Sequence, residues 1–127
     1  MVDKTSSSWQ NFCRALLALE RSIALPIREA RDLSGVIKDF ELVYELSWKV
    51  LKKLLLEEGH TTLGAKDVYT KAYKLSYLDA EAIWLQMIQD RNTSTHIYSE
   101  ATAQKLVEHI KTQYLEAFKN LHKKLDS

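Results

Sequence analysis

Apolar positions recur along this chain at helical spacing from near its start. Trp9, Phe12, Leu16, Leu19 and Ile23 step by 3, 4, 3 and 4 residues, which predicts a first helix over residues 8–25 with a cap from Ser6, Ser7 or Ser8. Pro26 ends it, because the proline ring clashes with the preceding helical turn. Residues 26–34 read as a linker, and a second helix is predicted over residues 35–58. It carries two full apolar lines: Val36, Phe40, Val43, Val50 and Leu54, then Ile37, Tyr44, Trp48, Leu51 and Leu55. Leu42 and Leu46 add a third. Lys38, Glu41, Glu45, Lys49 and Lys52 leave only a narrow polar strip, so this helix should be central in a bundle or lie at a subunit interface. Gly59 then supplies the stop.

After a polar loop at 60–64, a short helix is predicted over 65–75, with Val68, Ala72 and Leu75 inward and Tyr69 and Tyr73 alongside. Asp79 is expected to cap a fourth helix over 79–90, in which Ile83, Trp84, Met87 and Ile88 form the stripe. A last helix runs over 99–125 with Ala103, Leu106, Val107, Ile110, Tyr114, Ala117, Phe118, Leu121 and Leu125 as its inner face. No period-2 strand, internal repeat or low-complexity tract interrupts this. The pattern predicts an all-α fold, an up-and-down four-helix bundle with one extra short helix, forming a single domain over residues 1–127. The surplus apolar face of the second helix points to a homodimer.

Composition narrows the function classes. Three Gly and one Pro in 127 residues fit long helices. The formal net charge is +1 and no segment is strongly basic, so a non-specific nucleic-acid arm is excluded; any RNA contact must be local or assembled from two chains. One cysteine, Cys13, allows no intrachain disulfide and reads as a small packed residue with no activating base near it in sequence. With no apolar leader after Met1 and no stretch near the ~20 apolar residues of a membrane span, a cytoplasmic protein without membrane association is expected. Gly35, Gly59 and Gly64 form no phosphate-binding loop, and the histidines lack zinc-ligand spacing, so neither cofactor nor metal is expected. His60, His109 and His122 are expected to face solvent or line the rim of the bundle.

One stretch departs from ordinary bundle helix: Arg91-Asn92-Thr93-Ser94-Thr95-His96-Ile97-Tyr98. Arg91 continues the stripe of Met87 and should be half-buried at a helix end. His96 and Tyr98 follow in the turn before Ser99 opens the next helix. The spacing Arg-Asn-x-x-x-His-x-Tyr, with the run from Asp39 to Lys52 as a long second helix, resembles the HEPN superfamily over roughly residues 9–122. It is most similar to the nucleotidyltransferase substrate-binding branch, the toxin half of HEPN/nucleotidyltransferase toxin–antitoxin pairs.

That resemblance implies a homodimeric, metal-independent ribonuclease with RNA as substrate and its cleft at the dimer interface. Arg91, Asn92 and His96 are the implied catalytic residues. The chemistry suits them. An imidazole titrates near neutrality and can move a proton at a ribose 2′-hydroxyl or a leaving 5′-oxygen. A guanidinium can hold the phosphate as charge develops, and Asn92 can orient either group. Tyr98 is the implied site at which a separate minimal nucleotidyltransferase attaches an adenylyl group, which would silence the toxin. The chain has no Gly-Ser followed by spaced acidic residues, so it is not itself a nucleotidyltransferase of the usual kind. Two alternatives remain open: a non-catalytic subunit that presents substrate or nucleotide to that enzyme, and a purely structural dimeric bundle.

Overall fold

The computed structural model describes residues 2–96 and 99–127. Among these residues six α-helices follow in order: α1 (Ser7–Ala24), α2 (Ala30–Glu57), α3 (Ala65–Lys74), α4 (Glu81–Thr93), α5 (Glu100–His109) and α6 (Leu115–Asp126). A 3₁₀ turn, Ser94–His96, extends α4, and a π-helical stretch, Ile110–Tyr114, joins α5 to α6 into one rod. There is no strand among the described residues. The four main helices are α1, α2, α4 and the α5–α6 rod, with α3 as the short extra one.

Local chemistry explains most boundaries. Ser6 caps α1, its hydroxyl accepting the Trp9 N–H at 3.3 Å. α2 begins five residues earlier than the apolar pattern predicts, because the Asp32 carboxylate accepts the Arg28 and Glu29 N–H groups at 2.8 and 3.0 Å and secures a polar first turn. These bonds hold the Asp32 carboxyl below the usual carboxylate range. Gly59, at φ +91°, ends α2: the His60 N–H reaches the Leu55 carbonyl at 2.8 Å and the Gly59 N–H reaches Leu56 at 3.0 Å. Ser76 ends α3 by the same geometry at φ +67°. Asp79 does not cap α4; that position falls to Ala80, which sits in the left-handed region at φ +52°.

α2 is the central element and packs against α1, α3 and α5. Both of its predicted apolar lines are buried apart from the half-buried Trp48, whereas Leu42 of the third line is 50 % exposed. The predicted inner face of the last helix is buried at all nine positions. α3 differs from expectation: Tyr69 is fully buried, and Leu75, expected inward, is exposed beyond the helix end. The core closes on a ring of aromatics. Tyr44 meets Tyr69 (centroids 5.4 Å apart), Tyr69 meets Trp84 (4.8 Å), Trp84 meets Phe118 edge-on (5.7 Å), Phe118 meets Phe40 (6.2 Å) and Phe40 meets Tyr44 (6.4 Å). One buried polar knot sits inside it: the Tyr69 hydroxyl donates to the Tyr44 carbonyl at 3.0 Å, and the Ser47 hydroxyl donates to the same carbonyl at 2.9 Å. Burial pushes the Tyr69 phenol well up. No helix among the described residues is long and apolar enough to cross a membrane.

Candidate functional site

The end of α4 is held by short hydroxyl side chains. Thr93 Oγ1 donates back to the Gln89 and Asp90 carbonyls at 3.2 Å each, and Ser94 Oγ to the Arg91 carbonyl at 2.9 Å. Such back-bonding tightens a helix into its last turn. Arg91 therefore lies inside α4, two residues before its end, and Asp90 beside it points about 100° away around the helix. The two neighbours serve different walls.

Arg91 faces α2. One terminal guanidinium nitrogen is 3.6 Å from Glu41 Oε2, and the other is 3.6 Å from Glu45 Oε1. The guanidinium also lies 6.0 Å above the Tyr44 ring. It is only 23 % exposed, and its buried Nε has no hydrogen-bond acceptor among the described residues. The half-buried position expected of Arg91 is found; its partners are two glutamates that the sequence places on the narrow polar strip of the second helix. Ser94, 8 % exposed, donates to Glu41 as well and ties the turn to α2. Burial and Glu45 push the Tyr44 phenol up to about 12, against the pull of Arg91.

Asp90 faces the α5–α6 rod. Its Oδ2 lies 2.9 Å from His109 Nδ1 and accepts the Tyr114 hydroxyl. Gln86 Nε2 donates to the Tyr114 oxygen at 3.0 Å and to Gln113 Oε1 at 2.7 Å. Burial, then the bond to Asp90, push the Tyr114 phenol well up. His109 is thus bonded to a carboxylate and three-quarters buried rather than a plain rim residue. The signal that could have located this group is Tyr114: a phenol on a fully apolar face must find a polar partner.

His96 is exposed and lines a groove of about 480 Å³ with Asp90, Thr93, Thr102, Lys105 and His109. Arg91 is not among its lining residues, and Arg91 and His96 make no hydrogen bond to each other. Asn92 is exposed and makes no side-chain hydrogen bond among the described residues. Tyr98 lies outside the described residues. Ser99 caps α5 as expected, accepting the Thr102 N–H at 3.2 Å.

A second histidine corrects expectation away from this groove. His122 stacks on Trp9 (centroids 5.0 Å apart), and its Nε2 is 3.4 Å from Cys13 Sγ. A base is near Cys13 in space though not in sequence; burial and Asp126 nonetheless raise the thiol, so it is not activated.

The chain matches the family described as nucleotidyltransferase substrate binding protein like, over residues 7–127. It is also 30% identical over 76 residues to a probable ribonuclease HepT of Haemophilus influenzae. That match takes in 56% of this chain and 52% of the relative, so it spans about half of the relative's length. The family match covers nearly every residue of the bundle, including α2, the Arg91 turn and the whole α5–α6 rod: the chain belongs to the HEPN-type nucleotidyltransferase substrate-binding family.

Proposed function

We propose that this chain, as a single HEPN-like domain over residues 1–127, is a metal-independent ribonuclease of a cytoplasmic toxin–antitoxin pair, neutralised by a separate nucleotidyltransferase. The observation that carries this is His96, exposed on a groove whose other walls present Lys105 and His109. Two imidazoles and an ammonium around about 480 Å³ suit a phosphodiester and its sugar. The similarity to a probable ribonuclease supports the same reading.

Arg91 lies outside that groove, on the α2 side of the same helix end, and fits as a holder of RNA phosphate there because it is loosely held. Its two ion pairs, at 3.6 Å, are longer than hydrogen bonds, so a phosphate offering bidentate acceptors can compete for it. The dimer follows from α2. Leu42 is half-exposed and Leu46 lies one turn on, beside Glu41 and Glu45. A second copy seated there would bring a second Arg91 to the same seam. Tyr98, two residues after His96 and directly before the Ser99 cap, is the proposed adenylylation site. An adenylate there would set its phosphate at the N-terminus of α5 and displace an RNA phosphate by occupancy and charge.

Purified chain should cleave a mixed-sequence single-stranded RNA in the presence of EDTA. Arg91→Ala and His96→Ala should each lower the rate by about 10²- to 10⁴-fold while remaining folded. Light scattering should show a dimer at micromolar concentration. With the cognate nucleotidyltransferase, ATP and Mg²⁺, wild type should gain adenylate mass and fall silent, and Tyr98→Phe should do neither. The second reading, a non-catalytic substrate-binding subunit, is favoured by one observation: two glutamates already neutralise Arg91. Such a subunit would show no RNA cleavage at all, and cleavage abolished by EDTA would refute the metal-independent mechanism.

A further inference from the structure

We propose that His109 is a second acid–base residue of the His96 groove, so that one chain supplies both halves of the proton exchange. This rests on the ribonuclease reading above and deepens it. Cleavage through the 2′-hydroxyl needs one group to accept a proton and another to give one. His96 alone is half of that pair. His109 lines the same groove from α5, with Lys105 one helical turn before it.

The surroundings of His109 are built to orient an imidazole. Its Nδ1 is committed to Asp90 at 2.9 Å, which leaves Nε2, without a hydrogen bond among the described residues, as the nitrogen to exchange a proton. Asp90 is fixed in turn by the Tyr114 hydroxyl, and Tyr114 by Gln86. This is the logic by which a carboxylate sets the tautomer and orientation of a catalytic histidine. A second, independent feature points the same way. The rod opens into a π turn directly after His109, spanning Ile110–Tyr114. Residues five apart then address one side, so His109 and Tyr114, with rings edge-on at 6.0 Å, converge on one carboxylate. Single π turns inside α-helices are rare and concentrate at functional sites.

In the proposed step, neutral His109 Nε2 takes the proton of the ribose 2′-hydroxyl. The 2′-oxygen forms its bond to phosphorus, the P–O5′ bond breaks, and protonated His96 gives its proton to the departing O5′. The products are a 2′,3′-cyclic phosphate and a 5′-hydroxyl, with one proton moved between the imidazoles and none gained or lost. Asp90 balances the imidazolium that forms on His109. Asp90, Lys105 and His96 are the charged or titratable side chains that share the groove with it, and Tyr114 lies behind Asp90.

The test uses the full chain, a mixed-sequence single-stranded RNA and EDTA. His109→Ala and His109→Gln, each confirmed folded by circular dichroism, should lose about 100-fold or more in kcat with little change in KM. Asp90 is a positioning residue, so Asp90→Asn should lower kcat, leave KM unchanged and alter the limb of the pH–rate profile that reports the base. His60→Ala, beyond the end of α2, should match wild type. If wild type cleaves RNA and folded His109 variants cleave equally fast, His109 is only a structural hydrogen-bond partner of Asp90 and the inference fails alone. If wild type does not cleave RNA, the ribonuclease reading falls and takes this inference with it.

Discussion

Asp90 and Arg91 are neighbours on one helix, yet they anchor two clusters of opposite character. On the rod side an anion is held closely: His109 at 2.9 Å, with the Tyr114 hydroxyl on the same oxygen. On the α2 side a cation is held loosely: two carboxylates at 3.6 Å each and a buried Nε with no acceptor among the described residues. Tight, saturated bonding makes a fixture, because every donor that could be drawn away already has a better partner in place. Loose, unsaturated bonding makes a seat, because an incoming anion can offer better geometry than the resident one. The same helix end thus carries a framework on one face and an exchangeable charge on the other.

Substitutions should separate the two. The largest loss of stability is expected for Asp90→Ala, which strips the acceptor from both His109 and the Tyr114 hydroxyl. Urea unfolding should show about 3 kcal/mol of destabilisation, two hydrogen-bond losses with a buried donor left short of partners. Arg91→Met should lose less, about 1–2 kcal/mol, because the glutamates it leaves facing each other keep partial access to water. A larger loss at Arg91 than at Asp90 would make the α2 side the fixture and the rod side the seat. Ser94→Ala removes the tie from the turn to Glu41 and should cost about 1 kcal/mol.

The smallest effect separates the two phenols beside these clusters. Tyr44, pushed up to about 12, has Arg91 pulling it down; Tyr114 has Asp90 pushing it further up. Ultraviolet titration should show Tyr44 ionising before Tyr114, with Tyr44→Phe and Tyr114→Phe assigning the steps. For both, the folded state keeps a proton that the unfolded chain releases near pH 10. Their contribution to stability is therefore complete below pH ~10 and is lost as pH rises through the folded values, so alkaline unfolding should be steep.

Apolar spacing predicts the rod well. All nine of its predicted inner positions are buried, since a long helix against one core repeats its face without ambiguity. It predicts α3 in part: Val68 and Ala72 are buried as expected, but in ten residues the inward side is set by what packs there, and Tyr69 displaces Leu75 as the third inward residue. The Arg91 turn is legible because an arginine on an apolar stripe is conspicuous. Its partners are not. Glu41 and Glu45 look like solvated strip because nothing local reveals which helix will lie across them. Asp90, His109 and Tyr114 are separated by 19 and 24 residues, and only the rotation of α4 against the rod brings them together. The π turn is invisible to a period of 3.6, which passes through residues 110–114 without a break.

Glu45 has one more neighbour, and it gives the loose cluster an optical signal. The Trp48 indole N–H donates to Glu45 Oε2 at 3.0 Å, while Oε1 of the same carboxylate faces Arg91. Of the three tryptophans, Trp84 is buried in the aromatic ring and Trp9 is stacked on His122, so only Trp48 has its indole bonded to the acid that holds the arginine. Whatever draws Arg91 away from Glu45 changes the charge felt by that half-buried indole. With Trp9 and Trp84 replaced by Phe, the emission of Trp48 would then report, without any added label, whether the seat is resting or occupied.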